Sequence, residues 1–221
     1  MNLILTAFAI CLSLYSFAQA DSIVMKNGAR YGVNIIEETD KYIRIETIVG
    51  SQTKIPLPEI EQILRCDIDL DEVNQLTHER TVALRRRNIG RKHNLQVLAL
   101  RIDNNYIINF SSNVKLGCAS PGQGKVNVIF EDGETVELLH FADADCSNRP
   151  TFSCLFADYR LQKDSDESVF IAIQKAMIKK FSRKTLDRVI LTGSQGEIEI
   201  KINDRGKYYL KDNLRCLVDR F

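Results

Sequence analysis

Through most of this chain, apolar side chains fall at every second position in short runs, and the runs are broken by glycine, asparagine and aspartate. The clearest case is Val126–Glu131 followed by Thr135–Phe141, with Asp132-Gly133 between them. Successive side chains on an extended backbone point to opposite faces, so this period of two lets one face enter a core while the other meets water. Asp-Gly supplies the positive φ angles of a tight hairpin turn, so the pair reads as two antiparallel strands. Lys41–Thr47 alternates as cleanly, with Tyr42, Arg44 and Glu46 on one face and Ile43, Ile45 and Thr47 on the other. Asn94–Asp103 and Tyr106–Ser111 form another pair around Asn104-Asn105. Leu186–Leu191 and Glu197–Ile202 form a third around Gly193-Ser194-Gln195-Gly196, and Phe152–Arg160 adds a further strand.

Helical spacing enters only late. After Asp166, residues Val169, Phe170, Ile173, Met177 and Phe181 make one apolar stripe, and Leu210, Leu214, Leu217, Val218 and Phe221 suggest a closing amphipathic helix. The expected class is therefore α+β, predominantly antiparallel β, with two late helices. Residues 21–64 read as a compact β-meander and 65–221 as a larger α+β domain. Within the meander, Lys26-Asn27-Gly28 and Thr39-Asp40 are turns, and Pro56 and Pro58 suit an edge or a strand end. Between the two units Asp69-Leu70-Asp71-Glu72 reads as an acidic connector, and Thr77–Leu84 as a strand.

The segment Asp21-Ser22-Ile23-Val24-Met25-Lys26-Asn27-Gly28, followed by Gly32-Val33, resembles the D-x-I-x-x-K-N-G and G-x-I pattern near the start of many exported bacterial proteins of uncharacterised function. The resemblance covers about forty residues and implies a small Sm- or SH3-like barrel, a scaffold that hosts many tasks and so implies no activity.

The first twenty residues carry a different message. Leu3–Ala18 has no charged residue and ends in Ala18-Gln19-Ala20, the small-x-small pattern of a secretory signal peptide cut before Asp21. The run is shorter than the ~20 apolar residues that span a bilayer. Cys11 follows Phe8-Ala9-Ile10 rather than a small residue, which argues against a lipid-anchored form. The protein is thus expected to be exported to the periplasm, the cell surface or the medium, with no transmembrane segment in the mature chain. Without Cys11 an odd set of five cysteines remains, which an oxidising compartment can pair. Cys118, Cys146 and Cys154 lie in or beside Gly-, Ser- or Pro-rich loops, so a bridge from Cys118 to Cys146 or from Cys146 to Cys154 is expected. Cys66 and Cys216 read as buried small hydrophobes.

Charge excludes more than it assigns. The chain holds 30 basic and 29 acidic residues, a balance unsuited to coating nucleic acid or an anionic membrane. One local exception stands out: Arg80, Arg85, Arg86, Arg87, Arg91, Lys92 and His93 occur with no acid between Arg80 and His93. Such a run can grip phosphate, an acidic polysaccharide or an acidic partner, or it can blunt pairing at a sheet edge. No aromatic residue interleaves with it, which disfavours nucleic acid.

Motifs for chemistry are thin. His140, Asp143, Asp145 and Cys146 resemble metal ligands by type but lack the paired spacing of zinc and the long acidic run of calcium. Gly117–Gly124 is glycine-rich without the Gly-Lys-Ser/Thr ending of a phosphate loop, and Gly193-Ser194-Gln195-Gly196 reads as a turn, not a nucleophile elbow. The expectation is a non-enzymatic exported protein, structural or acting by contact with a protein or cell-envelope partner, with no catalytic residue, metal or cofactor. The alternatives are a polyanion-binding module using Arg85, Arg86, Arg87, Arg91 and Lys92, or a hydrolase using a carboxylate pair or Cys154.

Overall fold

A computed structural model describes residues 21–47, 50–64 and 66–218. The leader Met1–Ala20 with Cys11, and Phe221 at the end of the last apolar stripe, lie outside the described residues. Among the described residues fifteen strands run in the order β1 (Asp21–Met25), β2 (Arg30–Glu38), β3 (Tyr42–Thr47), β4 (Gln52–Pro56), β5 (Ile60–Leu64), β6 (Ile68–Val73), β7 (Arg80–Leu84), β8 (Arg87–Asn88), β9 (Leu95–Ile102), β10 (Asn105–Ser112), β11 (Lys125–Phe130), β12 (Thr135–Leu139), β13 (Thr151–Leu155), β14 (Leu186–Gly193) and β15 (Gly196–Lys201). The helices are α1 (Leu161–Asp164), α2 (Glu167–Phe181), α3 (Tyr209–Asn213) and α4 (Arg215–Val218). Every strand pairing is antiparallel, and the class is α+β.

The first sheet has the order β4-β3-β2-β1-β5 and is built wholly from residues 21–64. Its alternation places Ile23, Val33, Ile43, Ile45 and Ile55 in one small core. An extra residue in β2 between Ile35 and Glu37 interrupts the register with β3, and Ile36 at that bulge is left exposed. Pro56 ends the edge strand β4, and Leu57–Glu59 forms a single 3-10 turn with Pro58 inside it. β5 then pairs with β1, not β4, so among the described residues the meander is an open sheet and no barrel closure is found.

Sheets two (β13-β10-β9-β7-β6, with β8 beside β9) and three (β12-β11-β14-β15) share one continuous core. On β9 every second residue from Leu95 to Arg101 is buried, and on β10 every second residue from Tyr106 to Ser112. The C-terminal half of α2 enters this core. Phe181 stands edge-on to Phe130 at 5.2 Å and to Phe156 at 5.4 Å between ring centres. A fully buried ring of this size contributes about 3 kcal/mol through removal of apolar surface from water. The N-terminal half carries Phe170 and Ile173 against Ile107, Leu155 and Ala157 in a satellite cluster. α2 is further tied to β10 by Gln174, fully buried, whose Oε1 accepts the Tyr106 N–H at 2.9 Å.

Three expectations need correcting. The acidic connector Asp69–Glu72 is part of strand β6, paired with β7, because Arg80 and its neighbours meet its carboxylates across the ladder. The closing helix is divided into α3 and α4. The strand expected over Phe152–Arg160 ends at Leu155, and Phe156 and Ala157 are buried beyond it.

Candidate functional site

The basic run between Arg80 and His93 falls into two parts with different surroundings. The first part lies against the acidic strand. Arg80 donates from Nε and Nη2 to the two carboxylate oxygens of Asp71 at 2.9 and 3.0 Å, a fork that fixes the arginine plane. Arg87 donates from Nε and Nη2 to Asp67 Oδ2 at 2.9 and 2.5 Å. Arg85 lies 3.5 Å from both Asp67 and Asp69. Three arginines thus face three carboxylates, and what the sequence presents as an uncompensated cationic run is here locally neutral.

This neutral patch is pinned from the far end of the chain. The Asp67 N–H donates to Asn213 Oδ1 at 2.9 Å, the Tyr209 hydroxyl donates to the Arg85 carbonyl, and Cys66 is disulfide-bonded to Cys216. Burial pushes the Tyr209 hydroxyl well above the usual tyrosine range, with the Asp67 charge adding to it, so this donor keeps its proton.

The second part stays open. Arg86, Arg91 and Lys92 are exposed and make no ion pair among the described residues. Arg91 donates its backbone N–H to the Lys201 carbonyl at 2.9 Å, which lays the turn Arg91-Lys92-His93 along β15. Together with Glu199, Ile200 and Lys201 the turn lines a cleft of about 410 Å³. Of the candidate residues Arg85, Arg86, Arg87, Arg91 and Lys92, only Arg91 and Lys92 share that cleft. Arg85 and Arg87 are engaged by acids that the run itself does not contain. The signal that could have found those acids is the alternation Asp67, Asp69, Asp71, which is strand-like.

His140, Asp145 and the two glycine-rich turns are committed to structure. His140 is buried. Its Nδ1 accepts the Ser153 N–H at 2.9 Å, and its Nε2 lies 3.2 Å from the Asp143 carbonyl, which fixes the tautomer with the proton on Nε2. Asp145 accepts N–H groups from Ser147 and Thr151 at 2.9 and 2.7 Å. Partial burial raises its pKa, but these two bonds outweigh that effect and hold the carboxyl below its ordinary value.

The two glycine motifs turn out to face each other. Ser194 Oγ accepts the Cys118 N–H at 2.9 Å, and the Gln195 N–H donates to the Leu116 carbonyl at 3.0 Å. A Cβ on Gly193 would lie 2.3 Å from that carbonyl oxygen, and one on Gly117 (φ +73°) would lie 2.3 Å from Ser194 Oγ. The glycines permit close approach of two turns, with no phosphate cradle.

The cysteines match one expected bridge and correct the reading of another pair. Cys118 is bonded to Cys146, and Cys66 to Cys216 across 150 positions, so the latter two are cross-linked and not merely buried hydrophobes. Cys154 is the free cysteine among the described residues. It is buried, and burial pushes its thiol far above the usual range. It lies on β13 opposite Ile108 of β10, away from bonding reach of another sulfur.

No group of three or more His, Cys, Asp or Glu side chains suited to a metal ion occurs among the described residues, and no described helix is long and apolar enough to cross a membrane. What the fold defines is a β-rich α+β protein with two disulfides and a partly neutralised basic edge. Compared with protein-family models, with curated proteins and with solved structures, the chain matches none.

Proposed function

We propose that the protein is an exported, non-enzymatic interaction protein of the cell envelope or the extracellular space. One observation carries this reading: three candidates for nucleophile and base, Cys154, His140 and Ser194, are consumed by the fold. Cys154 is sealed in the core with a raised thiol, both ring nitrogens of His140 are engaged, and Ser194 Oγ accepts a backbone N–H. A hydrolytic site needs a nucleophile with a free path to substrate and a base beside it. Export is supported by the uncharged leader and by two disulfides, which persist in oxidising compartments. The resemblance of residues 21–64 to small Sm- or SH3-like units is in keeping with a contact module; the supporting feature is the strand order with a 3-10 turn before β5.

The test is complementation of a deletion strain. A chain carrying Cys154→Ala or Ser194→Ala should restore the wild-type phenotype to the extent that it is folded and exported. Failure of a folded, exported Cys154→Ala chain would instead place the thiol in a reaction.

The second reading, polyanion binding through the basic run, is favoured by the exposed Arg86, Arg91 and Lys92 and weakened by the acids facing Arg80, Arg85 and Arg87. It predicts salt-sensitive retention on immobilised heparin that falls when Arg86, Arg91 and Lys92 are changed together to Gln.

A further inference from the structure

The cations of α2 serve two purposes, and the second has no structural explanation. Lys180 pairs with Glu134, and Lys184 just beyond the helix pairs with Asp132 and Glu134, so both tie the helix end to the β11–β12 turn. Lys175, Lys179 and Arg183 lie on another face at four-residue spacing, and Arg215 of α4 converges with them. The four line a cleft of about 490 Å³ whose apolar part includes Ile178, buried, and Val218, half-buried. Among the described residues no carboxylate lines it. Asp212 feels Arg215 through space but makes no ion pair with it among the described residues.

This arrangement works against the helix that carries it. Like charges four residues apart within a helix destabilise it, and Lys175–Lys179 is such a step, with Arg183 two residues beyond the helix end adding a third cation to the same side. The helix macrodipole favours cations in the last turn, which covers Lys179 and Lys180 of α2 and Arg215 of α4 but leaves Lys175 unexplained. A cationic wall without counter-charge, over an apolar floor and of small-molecule size, fits a ligand that supplies the missing charge.

We propose that the α2–α4 cleft binds a multivalent organic anion, one bearing two or more sulfate, sulfonate or phosphate groups on an apolar ring or acyl body. The charges would meet Lys175, Lys179, Arg183 and Arg215, and the apolar body would cover Ala176, Val218 and the alkyl stems of the cations. The proposal rests on reading the protein as a binding module, but it uses a different surface from the Arg85–Lys92 run.

The test is fluorescence anisotropy of pyrene tetrasulfonate with the disulfide-bonded protein. Saturable binding is expected, weakened at least about tenfold in Lys179→Gln/Arg183→Gln and changed less than about twofold in Lys163→Gln, an exposed cation on α1. Inorganic tripolyphosphate should compete at least about tenfold more weakly, since it leaves the apolar floor bare. Melting temperatures within a few degrees of wild type would show that the exposed substitutions leave the fold intact. Equal loss in Lys163→Gln, non-saturable binding, or equal competition by tripolyphosphate overturns the proposal. Loss in Arg91→Gln/Lys92→Gln with none in Lys179→Gln/Arg183→Gln also overturns it, while leaving the polyanion reading of the basic run standing.

Discussion

Cys66, two residues beyond the first sheet, is covalently joined to Cys216 in α4, so the two halves of one bond stand 150 positions apart in the chain. In the chain-entropy description a closed loop of that length restricts the unfolded chain by about 5 kcal/mol, against about 3.6 kcal/mol for the 28-position separation of Cys118 and Cys146. Cys66→Ser/Cys216→Ser should therefore lower stability more than Cys118→Ser/Cys146→Ser, by about 1–2 kcal/mol in urea unfolding. The reverse order would show that the 118–146 loop contributes by native contacts and not by chain restriction.

The approach of the Gly193 turn to Leu116 leaves no room for a side chain. Gly193→Ala forces a methyl group against a backbone carbonyl at 2.3 Å, so either the turn withdraws or the β14–β15 hairpin shifts. A loss of about 2–3 kcal/mol is expected from the overpacking and from the bonds of Ser194 and Gln195 to the 116–118 backbone. Gly133→Ala, where nothing lies within 4 Å, is the comparison; it should cost about 1 kcal/mol, arising only from its φ of +83°. Thermal melts of the two variants check the order.

Gln174 is a polar side chain in an otherwise apolar helix face. Gln174→Leu keeps the volume but leaves the Tyr106 N–H buried without its acceptor, which should cost about 1–3 kcal/mol. Hydrogen exchange should show the Tyr106 amide losing protection first. If the leucine variant is as stable as wild type, the α2–β10 contact is held by packing alone.

Acid should loosen the loop around Cys146. The Asp145 carboxyl is depressed in the folded protein by the Ser147 and Thr151 N–H groups, against an unfolded value of about 3.9. Its contribution is complete above that value and is lost as pH falls through the lower folded one, so the window lies below about pH 4. Asp145→Asn should lower stability slightly at pH 7, since solvent screens much of the partly exposed carboxylate's interaction, and should flatten the stability profile below about pH 4 relative to wild type. Parallel profiles for the two proteins would remove Asp145 from the acid response.

Local rules carried much of the architecture. Val126–Phe130 and Thr135–Leu139 flank Asp132-Gly133 as the turn chemistry requires, and Gly133 takes the positive φ expected of it. Phe170, Ile173, Met177 and Phe181 lie on the core-facing side of α2 as their spacing predicts, whereas Val169, read as part of the same stripe, is exposed because it falls outside that face. Asp69–Glu72 escaped because a strand whose exposed face is acidic carries little apolar alternation. The closing helix broke in two because its apolar spacing does not record where backbone hydrogen bonding is interrupted, between Asn213 and Arg215.

The sequence by itself determined the period of the strands, the position of most turns, the long helix and the charge balance, because each depends on neighbours within a few residues. Tertiary structure alone decided which cysteines meet, since Cys66 and Cys216 become neighbours only when α4 docks beside the start of sheet two. It also decided which cations stay uncompensated. Coulomb energy depends on distance in space, and the acids that neutralise Arg80, Arg85 and Arg87 sit on or just before a partner strand, whereas Lys175, Lys179, Arg183 and Arg215 meet across a cleft with no acid in its wall among the described residues.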